Sequence, residues 1–367
     1  MSLTRRSTSQ LFHRCLFIAA LVAASLACQV STPPNPAPSP KPAETRTAAE
    51  NWFSVYFADP DGPSSQNLRG GPDRPLADAI QNARLSVDVA VLQLNLWSVR
   101  DALISAHRQG VRVRVVVESD YIDTSEIQQL IEAGIPVLGD RREGLMHNKF
   151  VVIDRLEVWT GSMNFTLSES YRNNNTLIRL RSPELAENYT VEFEEMFLDD
   201  QFGPGSPANT PHPSLVVGNT RIDTCFSPDD GCTARLLRAI ASAQHSLAFL
   251  AYSFTSDELA DVLIERSAAG VRVEGVMESS QVETNLGSDY RRFLSAGLDV
   301  RLDANPKQMH EKVMVIDEQV VALGSFNFTF SAEARNDENL LIIYDPQIAA
   351  LYQAEFARLF QQAAPAR

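Results

Sequence analysis

Lysine is nearly missing from this chain. The 32 lysines and arginines include only four lysines, Lys41, Lys149, Lys307 and Lys312, against 46 aspartates and glutamates. The resulting formal charge of −14 excludes a surface built for non-specific capture of nucleic acid or of a strongly anionic membrane, although it leaves room for a local basic pocket. Long apolar runs are missing too: Leu16 to Leu26 is too short for the roughly 20 residues of a helical bilayer span. The four cysteines and six histidines form no cluster with ligand spacing, so the sequence implies no metal centre and no cofactor. What remains is ordinary globular material, 44% hydrophobic and 21% charged over 367 residues, enough for one large or two medium domains.

Arg5, Arg6 and Arg14 precede the short apolar run, which ends in Ser-Leu-Ala before Cys28. This is the layout of an exported signal over residues 1–27, and it implies an extracytoplasmic protein. Residues 28–50 are rich in Pro, Ser, Thr and Ala and read as a semi-rigid tether. A cysteine at the cleavage point followed by a tether resembles a bacterial lipoprotein, with Ser25 where such signals usually carry Leu. Two outcomes stay open for Cys28: lipidation with anchorage to a membrane surface, or plain cleavage and secretion. Loss of the three arginines would leave 29 basic against 46 acidic residues, a charge of −17. Cys225 and Cys232 flank a Pro-Asp-Asp-Gly turn in "CFSPDDGC", which in an exported chain predicts a disulfide.

The chain repeats itself. "AIQNARLSVDVAVLQLNLWSVRDALISAHRQGVRVRVVVES" from Ala79 aligns with "AIASAQHSLAFLAYSFTSDELADVLIERSAAGVRVEGVMES" from Ala239 at a constant offset of 160. Three residues are then gained, so "MHNKFVVIDRLEVWTGSMNFT" at 146–166 matches "MHEKVMVIDEQVVALGSFNFT" at 309–329 at an offset of 163. Strand, amphipathic helix, glycine and Val-rich strand alternate in each copy, which predicts two α/β lobes, each a mixed sheet flanked by helices, at residues 51–201 and 223–367 with 202–222 as a linker.

Alternation along "HNKFVVID" and "HEKVMVID" points His147 with Lys149, and His310 with Lys312, while Asp154 and Asp317 fall on the opposite face and read as structural members of the catalytic motif. An arginine-rich chain that keeps lysine here suggests a compact ammonium beside a tetrahedral phosphate oxygen. Histidine serves as nucleophile or general acid. Asn164 and Asn327, with Ser162 and Ser325 as weaker candidates, sit in Gly-Ser-Xaa-Asn turns able to donate to phosphate oxygens.

Histidine-x-lysine-x4-aspartate followed by Gly-Ser-x-Asn, twice in one chain, resembles the two-motif secreted or lipoprotein members of the phospholipase D superfamily. The resemblance implies lobes related by a pseudo-twofold axis in a monomer that is an internal dimer, with both histidines in one cleft. It implies metal-independent cleavage through a phosphohistidine, with one histidine as nucleophile and the other as general acid; both assignments stay open, and the precedent of an N-terminal nucleophile favours His147 for attack and His310 for the acid. It also implies a histidine-orienting group downstream of each motif: Glu338 for His310 and Asn175 for His147. Three functions follow as expectations. The first is hydrolysis of phospholipid head-group diesters, with transfer to an alcohol as a variant and with Leu94, Trp97, Tyr252 and Phe254 bordering the site. The second is a nuclease using a groove of Arg141, Arg142, Arg172 and Arg335, disfavoured by the acidic charge. The third is non-catalytic phosphate or lipid binding.

Overall fold

The computed structural model describes residues 52–364; the expected signal, the tether and Cys28 lie outside them. Lobe one holds β1 (Phe53–Phe57), β2 (Ser86–Val91), β3 (Arg112–Val117), β4 (Val137–Gly139), β5 (Lys149–Ile153), β6 (Glu157–Gly161) and β7 (Thr176–Arg181). They form one sheet in the order β1-β7-β6-β5-β2-β3-β4. Lobe two holds β8 (Ser214–Val217), β9 (Thr220–Ser227), β10 (Ser246–Ala251), β11 (Arg272–Met277), β12 (Asp299–Leu302), β13 (Lys312–Ile316), β14 (Val320–Gly324) and β15 (Glu338–Tyr344). Its order, β12-β11-β10-β13-β14-β15-β9-β8, is that of lobe one with β8 added at an edge.

The expected linker is a correction. Its second half folds into the hairpin β8–β9, with Val217 opposite Thr220 and Gly218 turning at φ +62°. The Pro- and Gly-rich stretch before it masks a strand pair whose inward residues Leu215 and Ile222 join the core.

Both sheets are mixed: β2 runs parallel to β3 and antiparallel to β5, and β10 repeats the arrangement with β11 and β13. The central strands are buried along their whole length, which explains sequences that are nearly continuous Val, Ile, Met and Phe. Asp88 breaks the pattern inside β2 and is neutralised by the Arg114 guanidinium of β3, whose Nε lies 2.7 Å from Oδ1. Helices such as Trp97–Arg108 and Asp257–Ala268 cover the outer faces of the sheets. The two longest, Pro183–Asp199 and Pro346–Gln362, pack with residues of both sheets in one shared core. Pro at the first turn and the capping hydroxyl of Ser182 or carboxylate of Asp345 fix where each of these helices starts.

Two short bridges join the lobes at equivalent places: Met146 pairs with Asp337, and Asn174 pairs with Met309. Each puts the residue before one lobe's motif histidine beside the other lobe's β7 or β15 entrance. The pseudo-twofold relation brings together two half-sites of one chain.

Candidate active site

The motif aspartates are turn residues. Asp154 and Asp317 end β5 and β13 with φ of +54° and +51°, a left-handed conformation that aspartate tolerates. The Asp154 carboxylate accepts from the backbone N–H groups of Arg84, Leu85 and Ser86. Asp317 does the same with Gln244, His245 and Ser246, and these bonds hold its carboxyl below the usual range although burial opposes them. Both act on the fold at the far end of the strand from the histidines.

Gly161 and Gly324 also answer to a structural need. A Cβ on either would lie 2.2 Å from the carbonyl oxygen of Thr176 or Asn339 on the neighbouring strand. The serines that follow, expected to bind phosphate, are instead turned to that strand: Ser162 Oγ accepts from the Thr176 N–H at 3.0 Å and Ser325 Oγ from the Asn339 N–H at 2.9 Å. The asparagines remain. Asn164 Nδ2 donates to Glu169 Oε1 at 3.2 Å, and the side-chain oxygens of Asn164 and Asn327 are buried without a hydrogen-bond partner.

His147 and His310 each precede their strand by two residues and are 7% and 5% exposed, so both rings are nearly enclosed by protein. Each lysine turns back on its own histidine: Lys149 Nζ donates to the His147 carbonyl at 2.7 Å, and Lys312 Nζ to that of His310 at 2.8 Å. The orienting groups cross between lobes, opposite to expectation. His147 Nδ1 lies 2.7 Å from Glu338 Oε2, while His310 Nδ1 lies 3.1 Å from Asn175 Oδ1. Equal spacing from a lobe's own histidine misled the reading, because the twofold places each such residue against the other lobe's histidine.

A residue missed by the sequence reading completes the second histidine. Glu169, on the helix Leu167–Tyr171, brings Oε2 to 3.2 Å from His310 Nδ1 and also accepts from Asn175 Nδ2. Tyr252 stands edge-on to the His310 ring at 4.4 Å between centroids, with Lys312 Nζ 4.7 Å from the tyrosine ring centre. Of the other residues expected at the cleft, Leu94 and Phe254 are core, and Trp97 is 63% exposed on an outer helix. The arginine groove is likewise partly spent: Arg141 pairs with Asp200, and Arg142 with Asp337. Cys225 and Cys232 are joined in a disulfide with Cα atoms 5.7 Å apart.

The electrostatics show one composite centre. Burial pulls Lys149 down to about 8 and Lys312 down to about 7, and Lys149 itself depresses Lys312 across the lobe boundary. Burial lowers both histidines, His310 to about 4, against the upward pull of Glu338 on His147 and Glu169 on His310. Glu169 runs the other way: burial alone would raise it, but His310, Lys312 and Asn175 hold it at about 2. Beside these groups Glu311 is wholly buried, accepts from Thr176 Oγ1 at 2.6 Å, and is pushed up to about 8 by burial. The two buried lysines and two histidines thus form one electrostatically coupled cluster with Glu338 and Glu169. Among the described residues no group of three or more His, Cys, Asp or Glu side chains is arranged to hold a metal ion.

This geometry meets a match to known proteins. The family described as "Cardiolipin synthase, PLD-like domain" matches residues 76–197 and again 236–360. The chain belongs to the phospholipase D-like family. Its members are enzymes acting on phosphodiesters. "Phospholipase D" of Rickettsia prowazekii is 34% identical over 136 residues, a stretch covering 66% of that protein and 37% of this chain. "Mitochondrial cardiolipin hydrolase" of Xenopus tropicalis is 37% identical over 137 residues, covering 65% of that protein and 37% of this chain. Among solved structures, phosphatidylserine synthase of Haemophilus influenzae superposes with a TM-score of 0.63 over 85% of this chain and 87% of its own, at 16% identity. That last likeness is one of fold, and it spans both lobes.

Proposed function

We propose that this protein hydrolyses phospholipid head-group phosphodiesters by a phospholipase D-type mechanism, with transfer to an alcohol as a side reaction. The observation that carries the reading is the crossed assembly of His147–Glu338 and His310–Glu169–Asn175 around two buried lysines. His147 Nε2 attacks phosphorus while His310, protonated on Nε2 from solvent as the anionic substrate binds, delivers that proton to the leaving alcohol oxygen. The P–O bond breaks as the N–P bond forms. Water then loses a proton to His310 and attacks phosphorus, returning His147. The 2.7 Å contact with Glu338 suits His147 to carry the positive charge of the intermediate. Lys149, Lys312, Asn164 and Asn327 are assigned to the non-bridging oxygens, where fixed donors stabilise developing charge.

The charge of −14 and the names of the relatives support lipid over nucleic acid as substrate. Export of the chain, with Cys28 as anchor, belongs to the same proposal and would put the enzyme beside its substrate. The test is release from mixed phospholipid vesicles and, in parallel, cleavage of single- and double-stranded DNA, both in EDTA, with His147→Asn and His310→Asn as controls. Head-group release lost in both variants is expected. DNA cleavage with lipid untouched would put the nuclease in its place, and binding without turnover of either would favour the non-catalytic reading.

A further inference from the structure

The two half-sites differ at two positions, and the differences compensate. With the repeats aligned at an offset of 163, Asn175 in lobe one stands where lobe two has Glu338, and Glu169 stands where lobe two has Ala332. Lobe two thus carries a glutamate at the strand entrance and a small residue on the preceding helix. Lobe one carries an amide at the entrance and the glutamate on the helix. Both arrangements deliver a carboxylate oxygen to a histidine of the opposite lobe, at 2.7 Å for His147 and 3.2 Å for His310.

We propose that Glu169 is the positioning residue of His310, replacing the carboxylate that position 175 lacks, and that residues 169 and 175 form an exchangeable pair. The inference rests on the phosphodiesterase reading and names a group that acts through His310. Three contacts fix the glutamate's direction. Asn175 Nδ2 donates to Oε2, the oxygen that faces His310, and Asn164 Nδ2 donates to Oε1 at 3.2 Å. The Asn175 amide oxygen, itself held by Ser162 Oγ at 3.0 Å, shares the His310 Nδ1–H with the carboxylate. Nδ1 of His310 is thereby kept as the proton-bearing nitrogen, and Nε2 is left for the substrate. A lone amide at 175 would orient the ring but bring no negative charge to an imidazolium. Lobe two supplies orientation and charge through one residue. Lobe one divides them between two. The helix glutamate also ties Asn164 to the histidine's support, whereas in lobe two position 332 is alanine and the neighbouring Glu333 of that helix accepts from the Thr233 N–H instead.

The pair predicts a rescue. Glu169→Ala with Asn175→Glu converts lobe one to the lobe-two arrangement, at a net loss of three side-chain heavy atoms. Asn175→Glu alone sets two carboxylates at one histidine, so one must stay protonated and the centre is mis-set. The experiment uses the full mature chain and four variants: Glu169→Gln, Glu169→Ala, Asn175→Glu and the double variant. Turnover of bis(p-nitrophenyl) phosphate is followed against pH, and the His310 ring is titrated by NMR in the resting protein. Loss of a charge-assisted hydrogen bond predicts a fall in kcat of about 10- to 150-fold for Glu169→Gln with KM little changed. The His310 titration should move to lower pH while that of His147 stays. The double variant should recover most of kcat and return the His310 titration. Glu169→Gln is nearly isosteric and keeps the test open if the alanine variant fails to fold. An unmoved His310 titration in Glu169→Gln, or a double variant no better than Glu169→Ala, overturns the proposal. If the wild type turned over no diester, the phosphodiesterase reading would fall, and the His310 titration would still decide the role of Glu169.

Discussion

Anion binding at this centre should be paid in protons taken up by the two lysines. Burial holds Lys149 at about 8 and Lys312 at about 7 in the empty site. A phosphodiester placed between the ammoniums supplies the missing negative charge and returns both toward the ordinary value of about 10.4. Affinity then falls about tenfold per pH unit above each empty-site value. From about pH 6 to pH 9 Lys312 contributes roughly 100-fold and Lys149 roughly tenfold, so full restoration sets an upper limit of about 1,000-fold. At pH 8 the two lysines should together take up about 1.4 protons on binding, about 0.9 by Lys312 and about 0.5 by Lys149. Dimethyl phosphate is the suitable probe, because its single charge does not titrate in this range. Its dissociation constant is read by NMR titration, and the proton uptake by calorimetry in buffers of different ionisation enthalpy. A constant affinity over that range, with no proton uptake at pH 8, would refute the claim that burial holds both lysines below their ordinary value until substrate arrives.

Other expectations follow from single residues. Asp154→Ala removes the acceptor of three backbone N–H groups and should cost about 2–4 kcal/mol of stability by denaturant titration, with the pH profile of surviving activity unchanged. Replacing Cys225 and Cys232 by alanine opens a loop with a sequence separation of 7, for which chain entropy predicts a loss of about 2–3 kcal/mol. Glu311, raised from 4.5 to about 8 by burial, binds more protons folded than unfolded between those values, so its contribution to stability declines as pH rises through that window. Glu311→Gln should flatten the dependence of Tm on pH between about 5 and 8; an unchanged slope would count against a neutral Glu311 at the lobe interface.

Much of this was legible in the letters. The in-register duplication announces two alike lobes, and the alternation of "HNKFVVID" separates aspartate from histidine, as the turn bonds of Asp154 show. The crossing was hidden because offsets along one chain do not say which lobe a side chain faces; that is set by the Met146–Asp337 and Asn174–Met309 bridges across the twofold. Glu169 had a signal in the alignment. Lobe one lacks the glutamate of position 338 and has one that lobe two lacks, and asking where the missing carboxylate had gone would have found it. The β8–β9 hairpin was obscured by its Pro-rich approach, and the exposure of Trp97 by a helix register that only packing decides.

The central claim is that histidines from two repeats share one covalent displacement at phosphorus. The most direct measurement mixes the protein with a diester substrate radiolabelled at phosphorus, quenches in alkali during turnover, and maps the label by peptide mass spectrometry. The account predicts an acid-labile, alkali-stable N–P bond on His147, carrying the phosphoryl ester left after the alcohol departs, and absent from His147→Asn. Label on another residue, or turnover by a chain with asparagine at both 147 and 310, would contradict it.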